Sequence, residues 1–378
     1  MSIELRGSDY NFLRETKSKF DEVLTSNSHI RIVDLFSGCG GTSLGAVEAI
    51  RTKGLTATIS AAVEWDKVTA ECFKENFSPD TMLNTDITTL LDGRAGEQLT
   101  ESERKFQDTC GHVDILLGGP PCQGHSSLNN YSRMNDPKNA LYFKMARAAE
   151  VLKPEFIFIE NVVGAVNDRS GVVQRTIERL QDLGYLISKG VIDCKELGLA
   201  QSRKRFILMA SKGKSIPSTD SILKKYSLEP KSLSWAIGDL IGSAKSGDIF
   251  NEPSKPSKEN LERINYLFES NLYDLPNEMR PPCHRDKKHS YNSIYGRLSW
   301  DKPSQTLTGG FYNMSMGRYI HPEEKRTLTA HEAARIQGFP DFFNFYPALK
   351  RTSLAQIIGN AVPPKLAFSC VMELIEND

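Results

Sequence analysis

Short apolar runs, each stopped by glycine, proline or polar residues, recur through the first half of the chain. Ile30 to Phe36, Ile59 to Val63, Val113 to Leu117, Phe156 to Ile159 and Phe206 to Ala210 read as buried strands. Segments with a helical period stand between them, most clearly Thr42 to Ile50 and Ala140 to Leu152. Strand and helix in alternation predict an α/β domain with a mostly parallel sheet. Upstream, Phe12, Leu13, Phe20, Val23 and Leu24 lie at helical spacing, so one amphipathic packing helix is expected over residues 10–27. Residues 93–112 are polar and read as a surface insertion. From 211 to 260 Ser, Lys, Pro and Gly dominate and the period weakens, which marks a domain boundary. A helix from Thr329 to Gln337, and a last one opened by Gly359-Asn360-Ala361-Val362-Pro363-Pro364 and running to about Glu376, return to the globular pattern.

The candidate chemistry lies where these strands end, the edge at which open α/β sheets bind ligands. After the first strand, Ser37-Gly38-Cys39-Gly40-Gly41 leads into a helix, and glycines there let backbone N–H groups approach a ligand. The spacing is not Gly-x-Gly-x-x-Gly, because position 43 is Ser, so a dinucleotide site is the weaker form of this reading. Glu64 ends the second strand, placed to hydrogen-bond ribose hydroxyls. Trp65 is either a stacking platform for an adenine or a half-buried core residue. Asp86 alone reads as a helix cap.

Gly118-Gly119-Pro120-Pro121 stops the next strand sharply and sets Cys122 in a rigid turn, a candidate nucleophile. A buried structural thiol is the plainer alternative. Arg280-Pro281-Pro282-Cys283-His284 repeats the triplet without the strand or the glycines, and serves as an internal control. Ser126 to Asn139 is a loop of lid length. Glu160 and Asn161 close a strongly apolar strand, where a carboxylate is either an acid for catalysis or a cap. In Gln201-Ser202-Arg203-Lys204-Arg205, three basic side chains open a buried strand and call for an anion or a polar ligand.

Composition narrows these readings. Lys plus Arg equals Asp plus Glu, 47 each, so a polyanion site has to be a local patch. Arg280 to Arg297, with Arg285, Lys287, Lys288, His284 and His289 against Asp286 alone, is such a patch. Seven scattered cysteines without a Cys-x-x-Cys pair argue for a reducing compartment and against a zinc or disulfide framework. No run reaches the roughly 18 apolar residues of a membrane span, and Met1 to Ser8 has no signal-peptide core. A cytoplasmic protein is expected.

In their order these motifs resemble the DNA (cytosine-5)-methyltransferase family over nearly the whole chain. Asp34-Leu35-Phe36-Ser37-Gly38-Cys39-Gly40-Gly41 is similar to its cofactor loop, and Pro120-Pro121-Cys122-Gln123 to its catalytic loop. Glu160-Asn161-Val162 resembles the acid motif, Gln201-x-Arg203-x-Arg205 the basic motif, Arg297 to Leu307 the framework of the recognition domain, and Gly359 to Val362 the closing cofactor motif. His125 departs from the pattern, since the family more often has Phe there.

The resemblance implies a Rossmann-like S-adenosylmethionine-dependent fold, residues 1–206 and 329–378, with a smaller β-rich recognition domain over 207–328. It implies methyl transfer from S-adenosyl-L-methionine to C5 of a cytosine flipped out of double-stranded DNA, leaving S-adenosyl-L-homocysteine and using no metal. Cys122, Glu160, Arg203 and Arg205 are the implied catalytic residues. Phe36, Ser37, Gly38, Cys39, Gly40, Gly41, Glu64, Trp65, Asp86, Ile87, Pro121, Leu141, Asn360 and Ala361 are the implied cofactor contacts. Gln123, Ser126, Arg133, Gln201, Arg285, Lys287, Lys288, Arg297, Gly309, Gly310 and Arg318 are the candidates for DNA. A bacterial restriction-modification enzyme of this kind is expected to be a monomer in the cytoplasm, at the nucleoid, with a cognate endonuclease acting separately. A tRNA cytosine-5 methyltransferase and a non-catalytic DNA-binding relative are the competing readings; the long segment 207–296 argues against the first, and intact motifs argue against the second.

Overall fold

The computed structural model describes residues 9–18, 29–121, 141–167, 171–213, 215–286 and 293–376. Its centre is a seven-stranded sheet: β1 (His29–Leu35), β2 (Thr56–Val63), β3 (Thr81–Leu83), β4 (Ile115–Gly118), β5 (Phe156–Val162), β6 (Tyr185–Asp193) and β7 (Lys204–Lys212). The strand order is β3-β2-β1-β4-β5-β7-β6, and only β7 runs antiparallel to its neighbours. The central strands are buried on both faces, as parallel strands covered by helices must be. Phe156 and Phe158 of β5 join one core and Ile157 and Ile159 the other, following the two-residue period of a strand.

Helices cover both faces. The first core collects α2 (Gly41–Thr52), α3 (Lys67–Phe77), α12 (Ala330–Gln337), α13 (Arg351–Asn360) and α14 (Pro364–Glu376). The second collects α5 (Glu101–Cys110), α6 (Lys144–Leu152) and α7 (Val172–Asp182), with the short α4 (Ile87–Leu90) beside them. No helix of the described residues is long and apolar enough to cross a membrane.

Four expectations change. The first helix, α1, spans only Asp9–Leu13, and residues 19–28 lie outside the described residues. Residues 93–112 are not a surface insertion: α5 buries Glu103, Phe106 and Cys110, and Glu103 forms a buried ion pair with Arg147 of α6 at 2.6 Å. A domain boundary at 206/207 would cut β7. Past it, α8 (Thr219–Tyr226) and α9 (Leu233–Ile237) place Ile222, Tyr226, Leu233 and Ile237 in the first core. Nor is the later segment β-rich among the described residues, because past Lys212 only isolated bridges occur. A separate small core there, with Ile264, Leu267, Leu275, Tyr295 and Ile320, forms around α10 (Lys258–Glu269) and lies near the short α11 (Pro282–Arg285).

Candidate active site

The carboxyl ends of β1, β2, β4 and β5 open into one cleft of about 1730 Å³, above the roughly 300–1,000 Å³ usual for one small ligand. It has room for two occupants, and its wall divides into two halves.

The first half is built on the turn after β1. Phe36, Gly38 and Gly40 take left-handed backbone angles, with φ of 56°, 56° and 99°, and the chain turns at once into α2. A Cβ on Gly41 would lie 2.1 Å from Val362 O, so the closing motif packs directly on this turn. The Ser37 hydroxyl is buried without a hydrogen-bond partner. Glu64 accepts from Gly38 N at 3.0 Å and from Asp66 N at 2.9 Å. Burial pushes its pKa up, against those two hydrogen bonds. Its remaining lone pairs face the cleft that it lines. Asn84 steadies this corner through Glu64 O and Trp65 O, at 2.8 and 3.0 Å, a role its sequence neighbours gave no hint of. Trp65 is 73% exposed on the cleft wall, so the half-buried alternative does not hold. Asp86 does cap α4, accepting from Thr88 N at 2.8 Å, and together with Ile87 it also lines the cleft. Pro121, Leu141, Asn360 and Ala361 line it too, as does Cys39, a buried thiol whose pKa burial raises. Asp34, one strand residue earlier, is wholly buried, with its pKa pushed up to about 7 by burial and, less, by Glu64, against a 2.6 Å bond from Ser43.

The second half is built on β5 and β7. Their antiparallel register sets Val162 opposite Arg205, and Arg205 Nε pairs with Glu160 Oε1 at 2.6 Å, both side chains about a tenth exposed at the cleft. The next residue, Asn161, donates to Pro120 O at 3.0 Å and accepts from Val162 N at 2.8 Å. It thereby ties the acid strand to the Pro120-Pro121 turn. The sequence places this amide beside Glu160 at the strand end, but not its bond to Pro120. Cys122, Gln123, Ser126 and Arg133, with Lys287 and Lys288, lie outside the described residues.

Two members of the basic motif differ from expectation. The Arg203 guanidinium is buried and donates to Leu307 O, Gly359 O and Ala361 O at 2.8, 3.0 and 3.1 Å. Burial, then the charge of Arg205, lowers its pKa to about 9, so it stays charged at neutral pH. Its three bonds hold backbone, and Arg203 also lines the cleft. Gln201 is fully buried, bonded to Gln337 at 2.7 Å and accepting from Leu307 N at 2.8 Å, so it is shielded from any DNA.

The arginines expected on phosphates are partly engaged as well. Arg297 donates to Pro322 O at 2.7 and 2.8 Å and lies 4.0 Å over the Phe268 ring. Arg318 donates to Tyr273 O at 2.7 Å and pairs with Asp274, yet it also lines the cleft. Arg285 is exposed and pairs with Asp286 at 3.0 Å. Gly309 and Gly310 mark close packing: Cβ atoms there would meet Gln356 Cα at 3.3 Å and Met316 Sδ at 2.4 Å. Besides Arg318, this segment brings Gln305, Thr306, Thr308, Met316 and Tyr319 to the cleft; Gln305 and Thr306 fall within the Arg297 to Leu307 stretch, whereas no motif singled out Thr308 or Met316.

The comparisons with known proteins agree with this geometry. The family model described as C-5 cytosine-specific DNA methylase matches residues 30–376. The type II methyltransferase M1.BsuMI of Bacillus subtilis is 45% identical over 95% of this chain and 83% of its own length. The type II methyltransferase M1.HphI of Haemophilus parahaemolyticus is 31% identical over 89% of this chain and 84% of its own. Among solved structures, the S. pombe Dnmt2 methyltransferase matches with a TM-score of 0.65 at 17% identity, over 92% of this chain and 99% of that one, which bears on the fold alone. The chain belongs to the C-5 cytosine-specific DNA methylase family.

Proposed function

We propose that this protein transfers a methyl group from S-adenosyl-L-methionine to C5 of one cytosine in a specific duplex DNA sequence, through a covalent bond between Cys122 and C6. The observation that carries the reading is the Glu160–Arg205 pair. It faces a cleft whose other half offers buried, left-handed backbone and an unpartnered Ser37 hydroxyl. That half suits a small polar cofactor: N–H groups at the start of α2 for a carboxylate, Glu64 for ribose hydroxyls, Trp65 for an adenine face. S-adenosyl-L-methionine, bound there, supplies an electrophilic sulfonium methyl and leaves as S-adenosyl-L-homocysteine.

The protein's own groups do the rest. C5 of cytosine is a weak nucleophile, so the Cys122 thiolate first adds to C6 and the ring electron pair moves toward C5. Arg205 donates to O2 and Glu160 shares a proton at N3, relieving the charge that builds on the ring. C5 then takes the methyl, its proton leaves, and expulsion of the thiolate restores the aromatic ring. A stacked base cannot reach this cleft, so the target leaves the duplex to enter it. Arg203 acts here as a positioning residue.

Residues from about 241 to 328, with their own small core, are assigned to sequence recognition, and Lys287 and Lys288 to phosphate contacts. Type II names among the relatives support a role in restriction-modification, with an endonuclease that acts separately, and a DNA substrate over tRNA. Labelled-methyl transfer, tried on duplex DNA and on tRNA, tests the reading. DNA should be labelled by the wild type and not by Cys122→Ser, while both bind S-adenosyl-L-homocysteine. Turnover by Cys122→Ser, or label on tRNA alone, overturns it.

A further inference from the structure

Gln337, the last residue of α12, belongs to none of the motifs that make up the site, yet it is the side chain on which the two halves of the wall meet. It is fully buried. Its Nε2 donates to Ile358 O at 2.7 Å and approaches Gly359 O and Ala361 O at 3.5 and 3.4 Å. Its Oε1 accepts from Gln201 Nε2 at 2.7 Å. Gln201 in turn takes the N–H of Leu307 at 2.8 Å, while Arg203 takes the carbonyl of the same residue, also at 2.8 Å.

The outcome is a closed ring of buried hydrogen bonds. One side of it is the Ile358–Ala361 turn, whose Asn360 and Ala361 line the cofactor half. The other is the segment at Leu307, which lines the half facing Glu160 and Arg205. Backbone packing makes the junction tight, since a Cβ on Gly359 would sit 2.3 Å from Thr308 C. The amide has two ends and each serves a different half: its NH2 holds the turn, and its oxygen holds Gln201 against Leu307.

We infer that Gln337 is a positioning residue for methyl transfer, whose NH2 sets the cofactor turn and whose carbonyl sets the target-base wall. The inference rests on the proposed assignment of the two halves to cofactor and base. It makes a prediction that plain structural support does not, because the two functions separate by substitution. Gln337→Glu keeps an acceptor for Gln201 but loses both donors to the turn. Gln337→Met has similar length and loses both ends.

The experiment measures S-adenosyl-L-homocysteine binding by calorimetry without DNA, then KM for duplex DNA, well below the melting temperature of each variant. Both variants should weaken S-adenosyl-L-homocysteine binding by about 10-fold, the scale of one buried hydrogen bond. Only Gln337→Met should raise the KM for DNA, by a similar factor. Equal S-adenosyl-L-homocysteine affinity in folded variants and wild type overturns the inference, as does an identical effect of the two variants on DNA. If neither variant folds, the amide holds the core rather than the site, and the inference fails as well. Failure of the wild type to bind S-adenosyl-L-homocysteine is a different result, since it overturns the proposed function beneath it.

Discussion

Asp34 sits at the end of β1, wholly buried, and accepts a 2.6 Å hydrogen bond from Ser43 at the start of α2. Burial pushes its pKa up to about 7, whereas in the unfolded chain an Asp titrates near 3.9. Below about pH 4 both states hold the proton and the residue is neutral to stability. As pH rises toward 7 the unfolded chain gives up its proton and the folded one keeps it, so stability is lost across that window and stays lost above it. The gap of roughly three pH units corresponds to about 4 kcal/mol above pH 7. Asn at this position keeps an acceptor for Ser43 and never carries charge. Asp34→Asn should therefore be more stable than the wild type, by an amount that widens by roughly 3 kcal/mol between about pH 5 and pH 8. Urea unfolding of both proteins at the two pH values measures it, and the difference between variants removes the other titrating groups. A stability difference that is the same at both pH values would mean that Asp34 does not titrate with a raised pKa in the folded protein, and a loss of stability in Asp34→Asn at pH 8 would mean the same.

Gly41→Ala sets a Cβ 2.1 Å from Val362 O, so S-adenosyl-L-homocysteine binding should fall by at least about 10-fold, read by calorimetry, with the fold retained by circular dichroism. Glu160→Gln should slow single-turnover methyl transfer by roughly 10²–10⁴-fold; a wild-type rate would leave Glu160 as no more than the partner of Arg205. Replacing Lys287 and Lys288 with Ala should weaken binding to all duplex sequences alike and lower the slope of log affinity against log salt by about one unit per lost contact. An unchanged slope in filter binding would remove those two lysines from the DNA surface.

The sheet was legible because β1, β4, β5 and β7 are buried on both faces, and continuous apolar runs ending at Gly118 or Glu160 leave few alternatives. What stayed hidden is polar and buried. Glu103 and Arg147 look like surface charges along the chain, but they neutralise each other at a separation of 44 positions, so the helix carrying Glu103 reads as an insertion. Gln201 and Arg203 open a strand beside Arg205 and look like ligand contacts for the same reason. Only the fold shows that Leu307, Gly359 and Ala361 take up their hydrogen bonds, while Arg205 pairs with Glu160. Asn161 and Asn84 act on backbone carbonyls far away in sequence, and no local pattern encodes such a bond. The segment from about 241 to 328 resisted reading because, among the described residues, α10 and a small core rather than paired strands with a two-residue period organise it.

The central claim is that the chemistry occurs at C5 of cytosine and needs the Cys122 thiolate. Duplex DNA incubated with the protein and S-adenosyl-L-methionine, digested to nucleosides and weighed by mass spectrometry, tests this most directly. 5-Methyl-deoxycytidine should be the single methylated nucleoside with the wild type, and none should form with Cys122→Ser. Methyl on an exocyclic amine, which needs no attack at C6, or 5-methyl-deoxycytidine still formed by Cys122→Ser, would contradict it.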